Sequence, residues 1–148
     1  MSLAEVLNQF PPNGIALRSG SGELSFGDLL EFRTLNEHKL YDLDIAISLN
    51  CIKEGLKIIS AADGSCKSIT ILPSSLSNEQ KIKILITVGA NFYIGEDADE
   101  FNDTIDCQFF KNLTFIENRF IIEKPSFDSH WNLVTSGTSG DPKLVQHD

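Results

Sequence analysis

The sequence predicts an α/β fold: a three-layer parallel sheet with flanking helices, an N-terminal β-hairpin ahead of it and a small added β-sheet after it. Three observations carry that expectation. Between Asp44 and Ile94, short β-branched runs alternate with stretches of helical spacing. Strand, helix, strand, helix, strand is the order that yields parallel strands joined by right-handed crossovers. Serines ahead of two of the helices carry a capping partner three residues on, and a late apolar strand runs straight into a glycine-rich loop.

In chain order, Leu3 to Asn8 reads as a short amphipathic helix, broken by Pro11-Pro12-Asn13-Gly14. Ile15 to Arg18 is a strand. Ser19-Gly20-Ser21-Gly22 supplies the positive-φ residues of a tight turn, and Glu23-Leu24-Ser25 returns antiparallel. Ser25 and Asp28 form a capping-box signature, after which Phe26, Leu29 and Leu30 lie on one face of a helix running to about Glu37. Asp44 to Leu49 is the next strand. Ile52, Gly55, Leu56 and Ile59 make a helical stripe that ends at Gly64. Ile69 to Leu72 is a second parallel strand, stopped by Pro73. Ser77 and Gln80 cap a helix with Ile82, Leu85, Ile86 and Gly89 on one face, and Phe92 to Ile94 is the third strand.

From Glu96 to Asp106, six of eleven residues are carboxylates. An EF-hand needs ligands at alternate positions with glycine at the sixth, whereas Asp97 and Asp99 are followed by Phe101 and Asn102. A solvated acidic connection is expected instead. Cys107 to Phe110, Leu113 to Ile116 and Phe120 to Glu123 read as short extended segments of a small sheet or an added edge. Lys124 to Ser129 is a connector, and Trp131 to Val134 is the strand that delivers the glycine loop.

Composition bounds the function. One domain over residues 1–148, with 41% hydrophobic residues, can fill a core, and a net charge of -9 lacks the basic footprint of a nucleic-acid binder. No run of about 18 apolar residues exists to cross a bilayer, and Met1 to Glu5 lacks the basic start and apolar block of a secretory signal. A cytoplasmic protein is expected. Cys51, Cys66 and Cys107 show no CxxC or Cys/His spacing and read as buried or incidental thiols rather than zinc ligands. His130 and His147 read as a surface and a structural residue, and Trp131 as a core anchor.

The chemistry concentrates in Thr135-Ser136-Gly137-Thr138-Ser139-Gly140-Asp141-Pro142-Lys143. Gly137 and Gly140 let backbone NH groups turn toward an anion, the hydroxyls donate, and Lys143 adds a point charge. Such a loop suits phosphate. At a strand end it stands where α/β sheets place ligands. It is not a Walker A loop, because Gly137 and Gly140 are only three apart and Lys143 follows proline. Nor does a GxGxxG follow the first core strand, where Leu49-Asn50-Cys51 stands.

Thr135 through Lys143 resembles the phosphate-binding signature of the adenylate-forming superfamily: acyl-CoA synthetases, nonribosomal peptide adenylation domains and luciferase-like enzymes. Every defined position of Thr-Ser-Gly-Thr-Thr/Ser-Gly-x-Pro-Lys is met, while Leu144 departs from the glycine found in many relatives. Ile15-Ala16-Leu17 with Leu24 to Leu30, and Ile69 to Pro73 with Asn91 to Ile94, resemble the same superfamily's opening hairpin and first strands more loosely. The resemblance implies that Thr135, Ser136, Thr138 and Ser139 donate to ATP phosphates, that Gly137 and Gly140 are conformational hinges, and that Lys143 is the cation. It implies ATP and Mg2+ as cofactors, a carboxylic acid substrate, and CoA or a carrier-protein phosphopantetheine as acceptor. Because the sequence stops at Asp148, soon after the loop, an N-terminal portion that is inactive alone is expected. The missing remainder as a separate chain, in a split synthetase, and a non-catalytic domain retaining the loop are the alternatives. A mobile loop is also expected.

Overall fold

A computed structural model describes residues 3–20, 22–101, 104–116, 128–136 and 142–147. Six strands form the main sheet: β3 (Asp44–Ser48), β4 (Ser68–Ile71), β5 (Phe92–Gly95), β6 (Gln108–Phe110), β7 (His130–Ser136) and β8 (Pro142–His147). Ahead of them come α1 (Leu3–Leu7), the hairpin strands β1 (Ile15–Ser19) and β2 (Gly22–Ser25), and α2 (Phe26–Asn36). Helices α3 (Ile52–Ala62) and α4 (Asn78–Val88) make the crossovers. The sheet order is β6-β5-β3-β4-β7-β8, parallel except for β8.

Strand alternation sorts the core into two faces. Ile45, Ile47, Ile69 and Ile94 pack on the front face with Ile58, Ala61 and Ala62 of α3. Ala46, Tyr93 and Val134 point to the back, against Ile84 and Leu85 of α4. A third cluster of Leu7, Leu24 and Leu29, with Leu56 packed on it, ties the hairpin and α2 to α3. Gly22 turns the hairpin at φ 123°, a conformation open to glycine.

Both capping boxes form as the residues predict. Ser25 Oγ accepts from Asp28 N at 3.0 Å while Asp28 Oδ2 accepts from Ser25 N at 2.9 Å; Ser77 and Gln80 exchange equivalent bonds at 3.2 and 3.0 Å. Gly89 closes α4 in the left-handed region at φ 69°. Arg33 Nη1 donates to the carbonyls of Ser60 and Asp63 at 2.6 and 2.7 Å, satisfying the end of α3.

Two expectations are corrected and two are corrected in part. The stripe through Ile52 is displaced, since Ile52 is 68% exposed and α3 buries Ile58, Ala61 and Ala62 instead. On α4, Ile86 is 62% exposed while Lys81, Ile84 and Leu85 are buried. Both helices carry apolar residues on more than one face, so spacing alone does not choose among them. Of the two readings of the segment after Cys107, a small sheet or an added edge, the edge forms, and Leu113 to Ile116 is not extended. There β6 pairs in parallel with β5, and Leu113–Phe115 is a 3-10 turn because Asn112 Oδ1 accepts from Thr114 N at 2.9 Å; Phe120 to Glu123 lie outside the described residues. The acidic connection is solvated as expected at Glu96, Asp99, Glu100 and Asp106, which are exposed, and departs from that reading at the half-buried Asp97. Glu96 accepts from Asn50 N at 3.1 Å, Asp99 pairs with Lys111 at 2.7 Å, and Asp97 pairs with the buried Lys81 at 2.6 Å.

Candidate phosphate-binding hairpin

The site begins with the anchoring of β7. Ser129 Oγ donates to Cys66 O at 2.7 Å and accepts from Gly64 N at 2.9 Å, which fixes the strand's entry. Within the back face, Asn132 Nδ2 donates to the Thr70 hydroxyl at 3.1 Å, a buried bond that sets β7 against β4. Register with β4 runs from Ser68↔His130 to Ile71↔Leu133. The carboxyl end of β7 therefore lies level with the carboxyl ends of the parallel core, where an open α/β sheet receives ligands.

β8 then returns antiparallel, with Thr135 opposite Lys143 and Ser136 opposite Pro142. Leu144 packs into the back core. By alternation Lys143 projects from the front, on the same side as Thr135, and both are exposed. Thr135 Oγ1 donates to Lys143 O at 3.5 Å, a long contact across the neck of the loop. The two outermost members of the predicted site are thus brought face to face. Gly137, Thr138, Ser139 and Gly140 lie outside the described residues, as does the side chain of Ser136.

Beside the neck, an open cleft of about 380 Å³ lies at the ends of β3, β4 and β7. Leu49, Ile71, Leu72 and Leu133 give it an apolar lining, and Ser74 and Ser75 add hydroxyls. Among the described residues no charged side chain lines it. Sequence reading did not anticipate this cleft, nor β8 itself. The Leu144-Val145 pair flanked by polar residues was the available strand signal.

The other candidate groups fall into structural places. His130 and His147 project from opposite faces of the β7–β8 pair and form no catalytic couple. Trp131 is half-buried against the front core, as a core anchor should be. Burial pushes the Cys66 thiol well up from its ordinary value, and the Cys107 thiol up to about 12 with Asp106 adding to the effect. Among the described residues no group of three or more His, Cys, Asp or Glu side chains could hold a metal ion. Those residues do not supply a carboxylate cluster for the Mg2+ that the resemblance implies. No described helix is long and apolar enough to cross a membrane.

No protein-family model and no curated protein matches the chain. Solved structures do. O-succinylbenzoate CoA synthetase (MenE) from Bacillus subtilis, in complex with ATP and magnesium ion, aligns at TM-score 0.73 and 19% identity over 97% of this chain and 42% of that one. The Klebsiella oxytoca NpsA N-terminal subdomain, in complex with 3-hydroxyanthranilyl-AMSN, aligns at TM-score 0.68 and 16% identity over 98% and 40%. VinN in complex with 3-methylaspartate aligns at TM-score 0.71 and 15% identity, over 97% of this chain and 45% of that one. At these identities the likeness establishes the fold. The chain spans about two fifths of the length of the structures it matches.

Proposed function

We propose, from the premise that the chain carries the N-terminal fold of the adenylate-forming enzymes, that it is the phosphate-gripping portion of an ATP-dependent acid–thiol ligase. In this reading residues 1–148 are one domain, the first part of an AMP-binding unit. The observation that carries it is the β7–β8 register, which sets Thr135 against Lys143 at the carboxyl end of a parallel sheet, across a loop with the complete signature.

The chemistry follows from charge. When a carboxylate attacks the α-phosphorus of ATP, acyl-AMP forms and negative charge accumulates on the departing pyrophosphate. Thr135, Ser136, Thr138 and Ser139 supply hydrogen-bond donors there, Gly137 and Gly140 let the backbone approach, and the Lys143 ammonium neutralises the leaving group. Any Mg2+ accompanying ATP is held by groups other than a carboxylate cluster of the described residues. The acyl group passes on to CoA or a carrier-protein phosphopantetheine, in the cytoplasm. The chain alone holds the leaving group without completing the reaction.

A split arrangement, in which the remainder is a second polypeptide, draws support from the hairpin's front face. Leu133 and Val145 stand opposite each other there, 38% and 39% exposed, on the edge of the sheet. Acid-dependent exchange of labelled pyrophosphate into ATP tests the proposal. The chain by itself is expected to give none, the chain with a complementing polypeptide is expected to give exchange, and Lys143→Ala is expected to slow it about 10²-fold or more. Full exchange by the Lys143→Ala complex would remove Lys143 from the reaction.

A further inference from the structure

Among the described residues Lys81 is the only lysine in the buried core, at 3% exposure. Its place on α4 continues the apolar face of Ile84 and Leu85, so a methionine or leucine would fit there without desolvating a charge. A buried ion pair is a poor source of net stability, but it is directional. Lys81 Nζ lies 2.6 Å from Asp97 Oδ2, and Asp97 Oδ1 accepts from the Tyr93 hydroxyl at 2.5 Å. Tyr93 is fully buried in β5. Between Tyr93 and Asp97, Gly95 lies so close to β3 that an added Cβ would sit 2.7 Å from Ser48 O. The Lys81 bond therefore fastens α4 to a rigid rim of the sheet.

The same helix backs the candidate site. One turn from Lys81, Ile84 shares the back core with Val134 of β7 and Leu144 of β8. Gln80, Lys83 and Thr87 face Pro142 and Leu144 across a gap of about 440 Å³. A loosely filled gap lets a helix slide or roll, and such movement shifts β8. Lys143 sits between Pro142 and Leu144 and projects from the other side of that strand.

We propose that Lys81 is a positioning residue for the phosphate grip: its ion pair with Asp97 sets the roll of α4, and α4 sets where β8 holds Lys143 relative to Thr135. This rests on the reading of the loop as a phosphate site.

The test is the affinity of the chain for inorganic pyrophosphate by calorimetry, at a temperature where each variant is folded by circular dichroism. Lys81→Met is expected to weaken binding about tenfold, and Lys81→Arg, which keeps the charge, to restore part of it. Ile58→Val, a front-face core truncation, is expected to lower stability and leave affinity within about twofold. In a Lys143→Ala background the Lys81→Met change is expected to have no further effect. If Lys81→Met does not fold, Tyr93→Phe replaces it, removing one bond to Asp97 while keeping the ring; a several-fold loss of affinity is then expected.

Wild-type affinity in the folded Lys81→Met chain, or in Tyr93→Phe where that stands in for it, overturns the inference. So does an equal loss in Ile58→Val. If Lys143→Ala weakens pyrophosphate binding while Lys81→Met does not, the positioning role alone fails. If wild type and Lys143→Ala bind alike, the phosphate-site reading fails with it.

Discussion

Strands β3, β4 and β5 and the β7–β8 hairpin share one sheet but are held by different means. The inner strands are covered on both sides, with Ile45, Ala46, Ile69 and Tyr93 at 0% exposure. The hairpin packs Val134 and Leu144 on its back into the core that α4 shares, while its front shows Leu133, Val145, Thr135 and Lys143 to solvent. Inner positions are fixed by packing, which tolerates little change in volume. Hairpin positions are fixed by register, by the Asn132–Thr70 bond and by what lies behind them. The difference separates residues that make the fold from residues that use it. Lys143 and Thr135 are free to meet a ligand because the core does not need them.

The largest expected effect comes from exchanging equivalent truncations between the regions. Ile45→Ala is expected to cost about 2–5 kcal/mol in urea unfolding, whereas Val145→Ala is expected to stay within about 0.5 kcal/mol. Similar costs for both would erase the distinction. Gly95→Ala sharpens it at the rim of the core. Because its Cβ meets Ser48 O and the Tyr93 ring at 2.7 and 2.8 Å, a loss of about 1–3 kcal/mol is expected, with Tm as the readout.

Smaller still is the contribution of Asp28, exposed at the start of α2. The bonds from Ser25, backbone NH first and hydroxyl second, hold its carboxyl below the ordinary carboxylate value. Its stabilisation is therefore present above that ordinary value and lost as pH falls through the lowered one. A Tm profile at acid pH should fall less steeply for Asp28→Asn than for wild type. Parallel profiles would mean that the cap contributes nothing to stability.

The fold was legible where local chemistry decides it. Ser25 with Asp28 and Ser77 with Gln80 announced two helix starts that form as expected. The alternation from Asp44 to Ile94 announced the parallel core. Helix faces were less legible, because Ile82, Ile84, Leu85 and Ile86 offer several stripes and the choice depends on Asp97, which draws Lys81 inward from sixteen residues away. A lysine amid isoleucines reads as a surface residue until its partner is in view. At the candidate site, the residues from Thr135 to Lys143 gave the chemistry but not the geometry. Pairing of Thr135 with Lys143 belongs to a strand, β8, whose short apolar pair is a weak signal next to the glycine loop before it. The cleft beside the neck was illegible for a similar reason, since Leu49, Ile71 and Leu133 meet only through strand order.

On the proposed reading the β7–β8 hairpin holds phosphate. An NMR titration of the chain with inorganic pyrophosphate tests it most directly, following backbone amides. Saturable shifts are predicted for Thr135, Ser136 and Lys143, with Ile45 to Ile47 unmoved, and Lys143→Ala should abolish the saturation without disturbing the core. Absence of saturable shifts at the hairpin, or the same titration curve in Lys143→Ala, would contradict it.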